Sequence, residues 1–133
     1  MIETGLLFDA NGAILHLHLP VGRNAGYLPD DRGLWEIMWA SRHTLKGFAH
    51  THPGFGMPSP SGTDLTTFSA VELGLGRKLE WWIATRDSLG CWVHSGPSKL
   101  DYMSISNVSG AYPPWLYTLR EHSGMISLLD SPH

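Results

Sequence analysis

The chain has 133 residues, with 9 Lys and Arg against 12 Asp and Glu, a formal net charge of −3. That size predicts one domain spanning 1–133, and the mild acidity excludes a general nucleic-acid binder, which needs clustered positive charge. Charged residues make up only 16% and aromatic residues 11%, so the chain is able to bury a core and is not a disordered segment.

Ile2–Asp9 reads as a strand, and Asn11-Gly12 is a hairpin signal. Ala13–Leu19 alternates as the return strand, with His16 and His18 on one face. Pro20–Pro29 is a loop. Asp30 or Asp31 caps a helix whose apolar stripe runs through Leu34, Ile37, Met38, Ser41 and Leu45, and Gly47 is its expected stop. Gly47–His52 is short and apolar, a buried strand, and the Pro- and Gly-rich stretch Pro53–Pro60 is a loop. Ser61 opens a second helix reaching about Gly74. Leu79–Thr85 and Gly90–Ser95 form a second hairpin. The segment 98–110 has no clear pattern, Pro113–His122 reads as a short helix, and 123–133 reads as a fraying tail. Helices interleaved with strands predict an α/β fold, a mixed β-sheet flanked by helices, with its core in about 2–96.

A single cysteine, Cys91, excludes an internal disulfide and a multi-cysteine zinc site, and predicts a reducing, cytoplasmic setting. Beside Trp92 in a strand it reads as a buried, inert thiol. The first ten residues lack the pattern of a signal peptide, and no apolar run is long enough to span a membrane, so neither a membrane nor a nucleic acid is an expected partner. Trp81 and Trp82 are adjacent in a strand and point to opposite faces, which allows one of them to serve a partner surface.

Eight histidines are many for this length. The informative pair is His50 and His52 in the run HTHPGFGMPSPSGTD, residues 50–64. Two residues apart on a strand, they share a face. Asp64, in the first turn of the next helix, offers a carboxylate. Two imidazoles and one carboxylate leave the fourth position of a zinc ion open, as in a catalytic site. Ser61–Asp64 also reads as an ordinary capping box. It is the conjunction of H-x-H-P ending a strand with S-x-x-D opening a helix that points to metal. A second H-x-H, His16 and His18, has no such Ser-x-x-Asp after it and reads as polar residues on a sheet face. His43, His94, His122 and His133 are isolated and read as surface or satisfied histidines.

The run from His50 to Asp64 is similar to the JAMM motif of the MPN+ (JAB) metalloprotease family, and the chain resembles the prokaryotic JAB type. What the resemblance implies is a JAB/MPN (cytidine-deaminase-like) architecture with one Zn²⁺ per chain. His50, His52 and Asp64 are then the ligands, and Ser61 steadies the oxyanion. The family's general base is a Glu near an early strand, followed by Gly and aliphatic residues. Glu3-Thr4-Gly5-Leu6-Leu7 fits that description, while Glu36, on the first helix, is the competitor. Glu3 stands almost at the chain's start, where fraying is expected. The implied activity is hydrolysis of a peptide or isopeptide bond at the C-terminus of a ubiquitin-like protein, with that protein or its conjugate as substrate. Two alternatives stand beside it: an inactive MPN-type binding or scaffold module, and a zinc amidase on a small substrate.

Overall fold

Asp9 organises the first turn. Its carboxylate accepts the Asn11 and Ala13 N–H groups at 2.9 and 3.0 Å, and Gly12 takes the left-handed conformation with φ 80°. The turn joins β1 (Gly5–Asp9) to β2 (Ile14–His18), an antiparallel pair with a register shift between Leu7 and Phe8. The computed structural model describes residues 1–105 and 112–126. His133 and the end of the expected tail lie outside them.

Of the two candidate caps, Asp31 starts α1 (Arg32–Ala40), accepting the Leu34 N–H at 2.6 Å. The helix ends well before Gly47. Ser41 Oγ donates to the Ile37 carbonyl, Arg42 to that of Trp39 and Thr44 to that of Ser41, closing the last turn with side-chain bonds. Leu45 therefore belongs not to the helix stripe but to β3 (Leu45–Thr51), where it is fully buried. Gly47 lies inside that strand for a steric reason. A Cβ there would stand 2.2 Å from the Glu80 carbonyl oxygen and 2.8 Å from the Phe8 ring.

After the Pro/Gly loop comes α2 (Gly62–Leu75), closed by Gly76 in the left-handed conformation. It is the crossover that a parallel strand pair requires, linking β3 to its parallel neighbour β4 (Glu80–Ala84). The chain continues antiparallel through β5 (Leu89–His94) and β6 (Tyr102–Ile105), then α3 (Leu116–His122). The sheet is mixed and six-stranded, in the order β2-β1-β3-β4-β5-β6. The ambiguous segment thus supplies an edge strand.

Each sheet face has its own core. Leu7, Phe48 and Trp81 pack with Leu34 and Met38 of α1 and Phe68 and Leu75 of α2. Leu6, Phe8, Ala49 and Ala84 pack with Trp115, Leu116 and Leu119 at α3. This places Trp81 and Trp82 on opposite faces, yet neither is free. Trp81 is 1% exposed, and Trp82 is half-buried, edge-on to Trp115. The exposed tryptophans are Trp35 and Trp39 on α1. Glu72 of α2 is buried and accepts from the Leu79 N–H, the Trp81 indole and the Tyr102 hydroxyl, tying α2 to β4 and β6. No helix among the described residues is long and apolar enough to cross a membrane.

Candidate metal centre

β3 ends at the site. His50 is buried and stacks on Phe48, and the His52 N–H continues the ladder by donating to the Ala84 carbonyl at 2.9 Å. The Pro/Gly loop then turns the chain into α2. It is pinned to the β4–β5 turn: Asp87 accepts the Gly56 N–H at 2.7 Å, and Thr85 donates to the Gly56 carbonyl at 2.7 Å. Gly54 and Gly56 take φ of 92° and 86°, a conformation that L side chains rarely adopt.

At the start of α2, Ser61 Oγ accepts the Asp64 N–H at 3.0 Å, and Asp64 Oδ2 accepts the Ser61 N–H at 2.9 Å. The capping box is therefore real. It also fixes the Asp64 carboxylate against both histidines, so capping and ligation are compatible roles for one side chain.

Three side chains converge. His50 Nε2 and His52 Nε2 are 3.1 Å apart, with Asp64 Oδ1 3.4 Å from the first and Oδ2 3.1 Å from the second. A tetrahedral zinc site with bonds of about 2.0–2.1 Å has ligand-to-ligand edges of about 3.3–3.4 Å. The separations between the three side chains are close to those of such a site. The arrangement is also frustrated without a cation. Each imidazole must carry a proton on Nε2 to donate to Asp64, and the two N–H groups then face each other. With Asp64 ionised, no placement of protons satisfies all three contacts, a conflict that a bound cation would relieve. These three residues form the group able to hold a metal ion among the described residues.

The electrostatics agree. Burial lowers the His50 pKa below its ordinary 6.5 despite the neighbouring carboxylate, which favours the neutral, ligating form. Burial alone would raise the Asp64 carboxyl, but hydrogen bonds from His50, His52 and Ser61 outweigh it and hold the group well below the usual carboxylate range. His50 Nδ1 is buried without a hydrogen-bond partner. Metal-bound histidines usually donate that N–H to an acceptor, so here packing on Phe48 orients the ring instead.

Glu3 stands before β1 and is 8% exposed, not frayed. It lines the same cleft as His50, His52, Ser61 and Asp64. Burial pushes its carboxyl up to about 7, with His52 pulling down and Asp64 pushing up. Its backbone N–H donates to the Asn24 carbonyl at 2.9 Å, and Arg23 donates to Thr4 Oγ1 at 2.8 Å and to the Glu3 and His122 carbonyls. Glu36 is elsewhere, exposed on α1 and paired with Arg32.

A directed chain of hydroxyls supports this segment. The Thr4 N–H donates to Thr51 Oγ1 at 3.0 Å. Ser123 Oγ spends its only proton on the Leu119 carbonyl at 2.8 Å, so Thr51 must donate to Ser123 across 2.9 Å. Thr4, Thr51 and Ser123 are all buried, and the Ile2 N–H donates to the Ser123 carbonyl. Thr51 lies between the two histidines, so the residues after α3 brace both the Glu3 segment and the ligand strand. Residues 123–125 are accordingly ordered against the core, with Met125 buried, where the sequence suggests a fraying tail.

The second H-x-H also differs from its expectation. His18 is 2% exposed, lines the cleft, and donates from Nε2 to the Pro29 carbonyl at 2.6 Å, with Asp31 Oδ2 4.0 Å from Nδ1. It clamps the loop before α1. The alternation of the strand gives no sign of this, because Pro29 and Asp31 reach His18 only once the loop has folded back. Cys91 is buried, and burial pushes its thiol up to about 12, an inert group. No protein-family model and no characterised protein matches the sequence, so any functional reading rests on the motif and on this geometry.

Proposed function

We propose that the protein is a zinc-dependent metallopeptidase of the JAB/MPN (cytidine-deaminase-like) architecture, with His50, His52 and Asp64 as ligands. Its reaction is hydrolysis of a peptide or isopeptide bond at the C-terminus of a ubiquitin-like protein in the cytoplasm. The observation that carries the reading is the convergence of His50, His52 and the Asp64 carboxylate within 3.1–3.4 Å contacts, with a buried carboxylate and a hydroxyl in the same cleft.

Zinc in such a site supplies Lewis acidity toward a carbonyl and lowers the pKa of water. The chain supplies the rest. Glu3, with its carboxyl near neutrality, accepts a proton from the attacking water and returns it to the leaving nitrogen as the C–N bond breaks. Ser61 Oγ accepts the Asp64 N–H, which leaves its own hydroxyl proton free to meet charge developing on the carbonyl oxygen. Arg23, Thr51 and Ser123 hold the Glu3 segment in place.

The test is metal content and turnover together. Protein purified without chelator or metal-binding tag should carry about one zinc per chain, lost in His52→Ala. It should cleave C-terminal fusions of ubiquitin-like proteins, and Glu3→Gln should keep the zinc and lose the cleavage. Zinc-loaded protein inert on fusions, conjugates and short peptides alike would sink the hydrolase reading in favour of a scaffold.

A further inference from the structure

Where α1 meets α2, the surface carries two tryptophans that the core does not take. α1 turns Leu34 and Met38 into the core, while Trp35 and Trp39, one turn apart, stay 38% and 46% exposed. Their rings stack at 6.4 Å. Trp35 is seated on α2 at Gly74, where a Cβ would meet its ring at 2.8 Å, so a larger residue there would push the ring away. Leu73, beside that glycine, is 84% exposed. The Arg42 guanidinium lies 4.1 Å from the centre of the Trp39 ring and donates to the Trp39 carbonyl at 2.7 Å, and Arg77, after α2, donates to the Arg42 carbonyl. One unbroken chain of contacts therefore joins Gly74, Trp35, Trp39, Arg42 and Arg77.

Packing of α1 on α2 accounts for Trp35. It accounts neither for the exposure of Trp39 nor for the local charge. The chain is acidic overall, at −3, yet this face is cationic. Arg32 pairs with Glu36 at 2.9 Å, and Lys78 stands 3.9 Å from the buried Glu72 carboxylate. Arg42 and Arg77 enter no ion pair among the described residues. A guanidinium already held on an indole keeps edge N–H groups for a carboxylate and loses little freedom on taking one. Trp and Arg are also the side chains that most often carry the energy of a protein contact.

We infer that this face is a docking surface for a partner protein whose bound segment is acidic and carries a large apolar side chain. The indoles and Leu73 take the apolar group, and Arg42 and Arg77 take the carboxylates. Charge complementarity selects that occupant. A second copy in an isologous contact would instead set the same arginines against each other. The face lies toward the far end of α2 from Asp64, about 14 Å along the helix from Asp64 to Leu73. It is separate from the metal centre, and the inference does not rest on the metal reading.

The test is selection of short phage-displayed peptides on the full chain, after depletion on a Trp39→Ala, Arg42→Glu double variant. Enriched sequences should combine Asp or Glu with Trp, Phe or Leu. A synthetic peptide of the enriched sequence, followed by fluorescence anisotropy, should bind Trp39→Ala about 30-fold more weakly or worse. It should also weaken severalfold as salt rises. Leu73→Glu changes an exposed side chain outside the core, so the fold should persist by circular dichroism, and the added negative charge should weaken the peptide too. No enrichment after depletion, enriched peptides that are basic or uncharged, or affinity unchanged in Trp39→Ala and Leu73→Glu would overturn the inference. Self-association in sedimentation that the double variant abolishes would assign the face to a second copy and overturn it as well.

Discussion

Replacing Asp64 by Asn keeps the shape of the side chain and an oxygen able to accept the Ser61 N–H, now bonded at 2.9 Å. The capping bond therefore survives, while the charge and one of three ligands are lost. Ser61→Ala does the reverse. It deletes the acceptor of the Asp64 N–H, bonded at 3.0 Å, and leaves the ligand triangle untouched. Loss of a serine cap costs about 1 kcal/mol. For a domain of this size that is roughly 4 °C in Tm. Free zinc at a hundred times its Kd stabilises the folded state by about 2.7 kcal/mol, or roughly 11 °C. Outer-shell changes alone weaken metal sites by about 10- to 100-fold, so loss of a ligand should cost at least the upper figure. The same zinc then adds only about 0.4 kcal/mol, roughly 2 °C.

The assay is thermal unfolding of chelator-stripped protein across a zinc titration. Ser61→Ala should start roughly 4 °C low and gain the full zinc increment. Asp64→Asn should start below the wild type, because it loses the ionised carboxylate that His50 and His52 hold, and should gain almost none. An Asp64→Asn variant with the full zinc increment would refute ligation by Asp64 and leave it a capping residue only.

Other consequences are open to direct measurement. Ser123→Ala should strand the Thr51 hydroxyl and cost about 1–3 kcal/mol; zinc content should stay at the wild-type level while kcat falls, with Ser123→Thr restoring both rate and stability. Gly47→Ala should lower Tm by an overpacking cost of about 1–3 kcal/mol or more, since its Cβ would lie 2.2 Å from the Glu80 carbonyl oxygen. In metal-free protein the Glu3 carboxyl titrates near 7 against 4.5 for the free group, so the fold loses stability as pH rises through that window. Glu3→Gln should remove that loss, gaining at most about 3 kcal/mol over wild type at pH 8 and nothing below pH 4.5. Bound zinc should narrow the difference by favouring the ionised Glu3, and a difference that does not change with pH would contradict the burial argument.

Much of the fold is legible because its signals are local. Asn11-Gly12 marks the first turn, and Ser61 and Asp64 mark the start of α2, although the helix closes at Gly76 and not near Gly74. The failures share a cause. Leu45 fits the stripe of α1, yet Ser41, Arg42 and Thr44 end that helix with their own side chains, and β1 recruits Leu45 into the sheet. Gly47 looks like a helix stop because glycine often is one; here it is a strand residue pressed between the Phe8 ring and the Glu80 carbonyl, neither close to it in sequence. β6 is only four residues long, too short for its apolar Tyr102, Met103 and Ile105 to show an alternation that announces it. It exists because β5 offers a free edge and Glu72 accepts the Tyr102 hydroxyl.

The site divides along the same line. His50, His52 and Asp64 lie within fifteen residues, and the strand period and the capping box bring them together with little help from the rest of the chain. Glu3 belongs to the other kind. Its position depends on Asn24 and Arg23 from the β2–α1 loop and, through Thr4 and Thr51, on Ser123 after the last helix. Those partners are spread over most of the chain, and none shares a periodic pattern with it. The physical consequence is an asymmetry in robustness. Changes far from the cleft, after α3 or in the β2–α1 loop, should misplace Glu3 while the three ligands, fixed by β3 and the capped start of α2, continue to hold metal.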